Sequence, residues 1–213
     1  GKLSKLYNKS NIPIDVIISP EREVAKSLFR KLEAPGALDN VPFVKDKVKL
    51  LEILIEKNCP IANIPLKDLT KKFPEFKAYI FGAERKESFV FFKKNDQMKV
   101  GDKVYLVVST EQINKLLSVF SHDEKVAKKI LIIGGGNIGL HLAKLLENTD
   151  GLRTKIIEKD KIRAEQIAEE LSSAIVICGD PLDEKILKEA NIEEIETVFA
   201  LTDDDEDNIM TCV

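Results

Sequence analysis

Lys129-Ile-Leu-Ile-Ile-Gly-Gly-Gly-Asn-Ile-Gly-Leu-His-Leu-Ala-Lys-Leu-Leu146, followed by Thr154-Lys-Ile-Ile-Glu158, is the stretch on which the reading of this chain turns. Ile130 to Ile133 is an unbroken apolar run of the length of one buried parallel strand, and apolar residues at 138, 142, 145 and 146 then repeat with helical period. Between them lie the glycines of a strand-turn-helix unit. In a dinucleotide fold Gly134 makes the tight turn, Gly136 lets a pyrophosphate approach the backbone, and Gly139 lets the helix press on the sheet. The helix start supplies N–H groups without an intrahelical partner, which suits an anion. The second strand ends at Glu158, 19 residues after Gly139, with the charge and reach to accept hydrogen bonds from a ribose diol.

Working outward, the 213 residues suffice for one large or two small domains with a hydrophobic core. The 33 Lys+Arg and 36 Asp+Glu are interspersed and leave a formal net charge of -3. No bulk charge recruits nucleic acid or an anionic membrane. No apolar run approaches the roughly 18 residues of a membrane span, and no signal-peptide order opens the chain, so a soluble cytoplasmic protein is expected. Cys59, Cys178 and Cys212 lie far apart in mainly apolar surroundings, and buried free thiols are expected. Two isolated histidines offer little to a zinc site.

Taken in order, Ile14 to Ile18 is a short strand candidate, and Ser19-Pro20-Glu21 starts a helix that buries positions 24, 25, 28, 29 and 32 before Ala34-Pro35-Gly36 stops it. Residues 1–38 therefore resemble the end of an α/β domain. Residues 41–120 form a small α+β domain: a strand over Val48 to Ile55, a helix from about Pro65, and strands Phe76 to Phe81 and Ser88 to Phe92 around a charged hairpin, Gly82 to Glu87. A strand from Lys103 to Val108 and a helix from Thr110 to Phe120 complete it. Phe89, Phe91 and Phe92 fit either core and subunit-interface packing or a ligand wall. Residues 121–128 form a charged linker in which His122 is expected at the surface. From 129 the pattern is βα repeated: a helix from Ile162 to Leu171 burying 164, 167, 168 and 171, a strand from Ala174 to Cys178, a helix from Leu182 to Ala190, and a strand from Thr197 to Leu201. The expected fold class is thus α/β, a truncated Rossmann-like parallel sheet unit over 129–213 preceded by a small α+β domain. A piece of a longer tandem protein is the plain expectation, with head-to-tail completion between copies as the alternative.

Ligands of such sheets sit beyond the carboxyl ends of the strands. Those ends are Gly134 to Gly139, Glu158 with Lys159 and Asp160, Cys178 to Asp180, and Leu201 to Asp203. Glu158 either binds a ribose or is a solvated strand end. Asp180 either starts the Pro181 turn or reaches an adenine edge. Thr202 stands on the phosphate or ribose side, beside an acidic run that suits a helix start. A carboxylate at Glu158 favours an unphosphorylated 2′-OH, hence NAD(H) or an adenine nucleotide such as ATP or ADP over NADP(H). No P-loop lysine follows the glycines, and His141, one turn into the helix, fits packing better than catalysis. Hydride transfer would need an acid or base and a substrate domain. Three readings result: a nucleotide sensor, an NAD-dependent oxidoreductase domain, or a structural assembly module that binds no nucleotide.

Ile133-Gly-Gly-Gly-Asn-Ile-Gly139, Ile157-Glu158, Cys178-Gly-Asp180 and Ala200-Leu-Thr-Asp-Asp-Asp-Glu-Asp-Asn208 together resemble the RCK or KTN nucleotide-binding domain that regulates potassium channels and transporters. Leu66-Lys-Asp-Leu69 and Val100-Gly-Asp-Lys-Val-Tyr-Leu-Val107 resemble the partner domain that follows it, and Ile14 to Glu21 with Leu32 to Leu38 is similar to the end of a preceding copy. The resemblance implies a non-enzymatic regulator, peripheral on the cytoplasmic face of the membrane. It would assemble as a dimer or tetramer on a potassium-translocating membrane subunit. Nucleotide exchange would gate transport. By the same resemblance Gly134, Gly136, Asn137, Ile138 and Gly139 hold the phosphates and Glu158 the adenosine ribose, with Lys159 beside it. Asp180 lies by the adenine and Thr202 near the phosphate or nicotinamide. Some related partner domains bind cyclic dinucleotides; the Phe81 to Phe92 segment shows no phosphate-binding cluster.

Overall fold

The computed structural model describes residues 18–74, 77–122 and 124–210, apart from the side chains of 206, 207 and 210. Residues 14–17 of the expected first strand lie outside the described residues, as does Cys212. Backbone contacts divide the chain into two compact units, one made of residues up to Leu28 with Lys128 onward, the other of Phe29–Ala127.

Helix α1 (Pro20–Glu33) has Glu21 and Glu23 in its first turn and Arg30 and Lys31 in its last, opposing the helix dipole at both ends. At its start the Ser19 hydroxyl donates to the Glu21 carboxylate at 2.8 Å, and the Ser19 carbonyl accepts from Glu23 N–H. In the expected stripe Ala25 and Leu32 are buried and Leu28 and Phe29 half-buried, but Val24 is exposed. One residue of helix turns about 100°, which puts Val24 at the margin of the stripe centred on Ala25 and Leu28.

The second unit is built on a five-stranded antiparallel sheet of β1 (Asp39–Phe43), β2 (Val48–Leu54), β3 (Ala78–Arg85), β4 (Ser88–Phe91) and β5 (Lys103–Ser109), in the order β1-β2-β5-β3-β4. Strand β2 alternates between half-buried and buried positions, and β5 does the same as far as Val108. Leu51, Ile53, Val104, Leu106 and Val108 thereby share one core with Leu69 of α2 (Leu66–Lys72) and with Leu116 and Leu117 of α3 (Ile113–Val119). The expected helix over 110–120 opens as a 3-10 turn at Thr110–Gln112.

Strand β1 was not anticipated: Asn40 and Pro42 break its apolar alternation, and it is tolerated because it sits at the sheet edge, where a proline costs no ladder bond. The expected Gly82 to Glu87 hairpin is narrower than read. Strand β3 runs on to Arg85, and the turn is Lys86 and Glu87 alone, both left-handed at φ 50 and 62. Phe89 and Phe91 are exposed and pack edge-on at 4.9 Å between ring centres on the outer face, so only Phe92 packs against the core.

Three buried polar groups were hidden from the sequence. Lys49 is 1% exposed on β2, held by Glu33 at 2.7 Å and Asp46 at 3.3 Å. Asp102, also buried, takes both nitrogens of a forked Arg85 at 2.7 Å and the Lys99 N–H at 2.8 Å. His122, expected at the surface, is buried: its Nε2 lies 3.5 Å from the Leu54 carbonyl, its Nδ1 3.5 Å from Glu124, and its Cβ packs on Gly36.

The other unit carries a four-stranded sheet, β6 (Lys129–Ile133), β7 (Arg153–Glu158), β8 (Ile175–Cys178) and β9 (Thr197–Ala200), in the order β8-β7-β6-β9 with every neighbour parallel. Helices α4 (Asn137–Glu147), α5 (Lys161–Glu170) and α6 (Glu184–Glu189) join the strands, and α7 (Asp205–Met210) follows the last. Ile130 to Ile133 are all buried, as a strand covered on both faces must be. Ala168 of α5, expected inside, is exposed, whereas Ala164, Ile167 and Leu171 are buried. Cys59 is a buried free thiol as expected, but Cys178 is exposed, because β8 is the edge strand. Among the described residues no helix is long and apolar enough to cross a membrane.

Candidate functional site

Five chain segments, one of them the turn after β8 through Pro181, reach the carboxyl end of the parallel sheet and enclose a cavity of about 300 Å³. Gly134 and Gly136 come from the turn after β6, Glu158 and Lys159 from the end of β7, Arg163 from α5, and Leu201, Thr202 and Asp203 from the loop after β9. Gly134 has φ +99, and a Cβ there would stand 2.7 Å from the Leu201 carbonyl oxygen, so only glycine makes this turn against β9. Gly139 meets the same turn from the helix side: its Cβ would fall 2.1 Å from Gly134 O. Gly136 differs from both, since a Cβ on it would meet nothing within 4 Å. The space beside Gly136 opens to the cavity.

Helix α4 starts at that open position. Its N-cap is Gly136, with no side chain to bond the first turn. By contrast α5 is capped by Asp160, which accepts Arg163 N–H, and α6 by Asp183, which accepts Lys185 N–H. Of these three helices α4 alone leaves the N–H groups of its first turn, Asn137, Ile138 and Gly139, without a side-chain acceptor, at the spot where partial positive charge gathers. Those three residues belong to the helix start rather than to the cavity wall.

Across the cavity, Glu158 uses both carboxylate oxygens on backbone: Oε2 accepts Gly135 N–H at 2.7 Å and Oε1 accepts Asp160 N–H at 2.8 Å. A carboxylate has about four acceptor positions, so capacity for a diol remains. Glu158 is therefore no mere solvated strand end; it ties the glycine turn to the start of α5. Gly135 is closed on its α-carbon side as well, because a Cβ there would stand 2.1 Å from Ile167 Cδ1.

Asp180 serves the turn: Oδ1 accepts Leu182 N–H at 3.0 Å, and Oδ2 pairs with Lys159 Nζ at 2.7 Å. The Lys159 hydrogen bond, with the Leu182 N–H, holds the Asp180 carboxyl below its ordinary range. Thr202 is bound into a local network in which the Asn208 amide oxygen accepts both Thr202 N–H and its hydroxyl at 2.9 Å, and the Asn208 NH2 donates to Thr202 O. Sequence reasoning missed Arg163 and Asn208 as parts of this site. Asn208 sits in an acidic run with no local mark of its partner, and Arg163 reaches Gly135 O at 2.9 Å across 28 residues of sequence.

In the other unit a cavity of about 520 Å³ lies between α2 and β3, with Leu66, Leu69, Tyr79 and Phe92 in its walls and Lys67, Lys93 and Lys94 around them.

The family described as TrkA-N domain matches residues 130–213, and the family described as TrkA-C domain matches 50–121. The Trk system potassium uptake protein TrkA of Azorhizobium caulinodans is 41% identical over 209 residues, covering 98% of this chain and 46% of that protein. Its counterpart in Vibrio alginolyticus is 34% identical over 208 residues, covering 98% and 45%. The chain spans about half the length of the curated relatives it matches. Among solved structures, the GsuK RCK domain superposes with a TM-score of 0.57 at 17% identity, covering 99% of this chain and 44% of that one. The GsuK channel bound to NAD gives 0.57 at 15% identity, covering 98% and 36%. Identities this low speak for a shared fold.

Proposed function

The chain belongs to the TrkA family, with a TrkA-C and a TrkA-N domain, and from that premise we propose that it is a nucleotide-binding regulatory part of a potassium uptake system. The observation that carries the nucleotide is the pairing of an uncapped α4 start, open beside Gly136, with the Glu158 carboxylate across one cavity. An anion is served at one end and a diol at the other, the two polar features that NAD(H), ATP and ADP share.

The residues fit such a ligand. Bound there, a nucleotide supplies the regulatory signal rather than chemistry. Asn137, Ile138 and Gly139 N–H groups donate to its phosphates, with Gly134 and Gly136 shaping the turn. Glu158 accepts from the ribose hydroxyls, and the Lys159–Asp180 pair stands on the adenine side. Thr202 holds the loop facing the phosphates or nicotinamide. NAD(H) is the favoured ligand, supported by the GsuK channel described as bound to NAD, with ATP or ADP as the alternatives. The role is regulatory, not enzymatic. The partner is a potassium-translocating membrane subunit, contacted from the cytoplasmic face by a dimer or tetramer of the regulatory protein. We assign 41–120 to the TrkA-C-type domain, 121–128 to the linker and 129–213 to the nucleotide domain, with 1–38 as the end of a preceding copy.

Thermal unfolding with and without ligand tests the proposal. A nucleotide that binds the native chain alone stabilises it by about 2.7 kcal/mol at a hundredfold excess over Kd. A rise in Tm with NADH or ADP, absent with inorganic phosphate at equal ionic strength, is expected; an unmoved Tm with all nucleotides would sink it.

A further inference from the structure

Arg163 enters the cavity from the first turn of α5, and its side chain donates from Nε to the carbonyl of Gly135 at 2.9 Å. Gly135 is then held on three sides: N–H by Glu158, C=O by Arg163, and the α-carbon by Ile167. All three holders come from β7 and α5, and all act on the residue before the α4 cap. A peptide unit is planar, so fixing the Gly135 carbonyl fixes the plane through Gly136 N. That plane leads straight into the uncapped turn of α4.

We infer that Arg163 is a positioning residue for phosphate recognition: by holding the Gly135 carbonyl it fixes the glycine turn, and with it the free N–H groups at the start of α4. The inference rests on the nucleotide reading above and adds a residue and a division of labour to it. Glu158 faces both halves of a nucleotide, since it bonds the turn and offers acceptors to the ribose. Arg163 acts on the phosphate half alone. Its guanidinium suits the task because the donor is charged, planar and never deprotonated, and a charged donor makes a stronger bond to a carbonyl than a neutral one. Without it the Gly135 carbonyl loses its side-chain donor, and the α4 donors lose one constraint on their direction toward an anion.

The test uses the whole chain with Arg163→Met, which keeps bulk without a donor, and Arg163→Lys, which keeps a charged donor. In the ligand-free chain, the amide resonances of Gly135 and Gly136 shift in Arg163→Met, while those of Gly101 and Gly151, remote in sequence, stay in place. Titration with ADP then shows about tenfold weaker binding, the size of one charge-assisted hydrogen bond, while adenosine, which lacks phosphate, binds within about twofold of the parent. Arg163→Lys recovers part of the ADP affinity. Equal weakening of adenosine and ADP would overturn the inference, as would weaker ADP binding with unmoved glycine resonances, because Arg163 would then touch the ligand directly. Unchanged ADP affinity would also overturn it. If the parent binds neither compound, the nucleotide reading fails, and the glycine resonances still decide whether Arg163 fixes the turn.

Discussion

Gly136→Ala separates what the glycine turn does for the fold from what it does for a ligand. The backbone at Gly136, φ -60 and ψ -172, is extended and open to any residue, and an added Cβ meets nothing within 4 Å. Restricting the unfolded chain gains about 0.4–1 kcal/mol. Alanine is a poorer N-cap than glycine, which costs roughly 0.5–1 kcal/mol. The two offset each other, so the stability of the variant stays close to that of the parent. The methyl group occupies the open space beside the α4 start, between an incoming phosphate and the N–H groups of the first turn. Lengthening even one such charge-assisted bond costs about 1.5 kcal/mol, or more than tenfold in affinity. Thermal unfolding and calorimetric titration with ADP, run on the same preparations, read both sides. An unchanged Tm with ADP binding reduced at least tenfold is expected. A variant that binds ADP as the parent does would refute a phosphate position beside Gly136, and a large fall in Tm would show that the glycine serves the fold.

Gly139→Ala behaves in the opposite sense. Its Cβ would fall 2.1 Å from Gly134 O, a backbone atom, so α4 must retreat by about 1 Å at a cost of about 1–3 kcal/mol, seen as a lower Tm without any ligand present. Asp102 links stability to acid. Burial raises its carboxyl, but the Arg85 hydrogen bonds, the Lys99 N–H and the nearby charges outweigh this and hold it below the ordinary value. A depressed folded value contributes stability that is present above the unfolded pKa of about 3.9 and is lost as pH falls through the folded one. Asp102→Asn should lower stability by roughly 2–3 kcal/mol at neutral pH and flatten the acid limb of a Tm-against-pH curve; an acid limb parallel to that of the parent would contradict it.

The parallel sheet was legible because Ile130 to Ile133 is apolar at every position, as a strand buried on both faces is, and because Gly134, Gly136 and Gly139 follow it at the spacing of a strand-turn-helix unit. Strand β2 was legible for the same kind of reason, yet Lys49 within it was not. Its burial depends on Glu33, 16 residues away, and no local pattern announces that partner. His122 looked exposed because it lies in a charged stretch, and it is buried because Gly36 leaves room for its ring. Strand β1 was missed because edge strands need no apolar alternation and tolerate Pro42. In the site, Glu158 followed from spacing, but its bond to Gly135 did not, and Arg163 acts on a carbonyl, a group every residue carries.

Isothermal titration of this chain with NADH, NAD, ATP and ADP, run in parallel on Glu158→Ala, tests nucleotide binding at the glycine turn most directly. Saturable binding of at least one of them, weakened tenfold or more by the substitution, is expected from the Glu158 contacts. Absence of binding by all four, or an affinity that Glu158→Ala leaves intact, would contradict it.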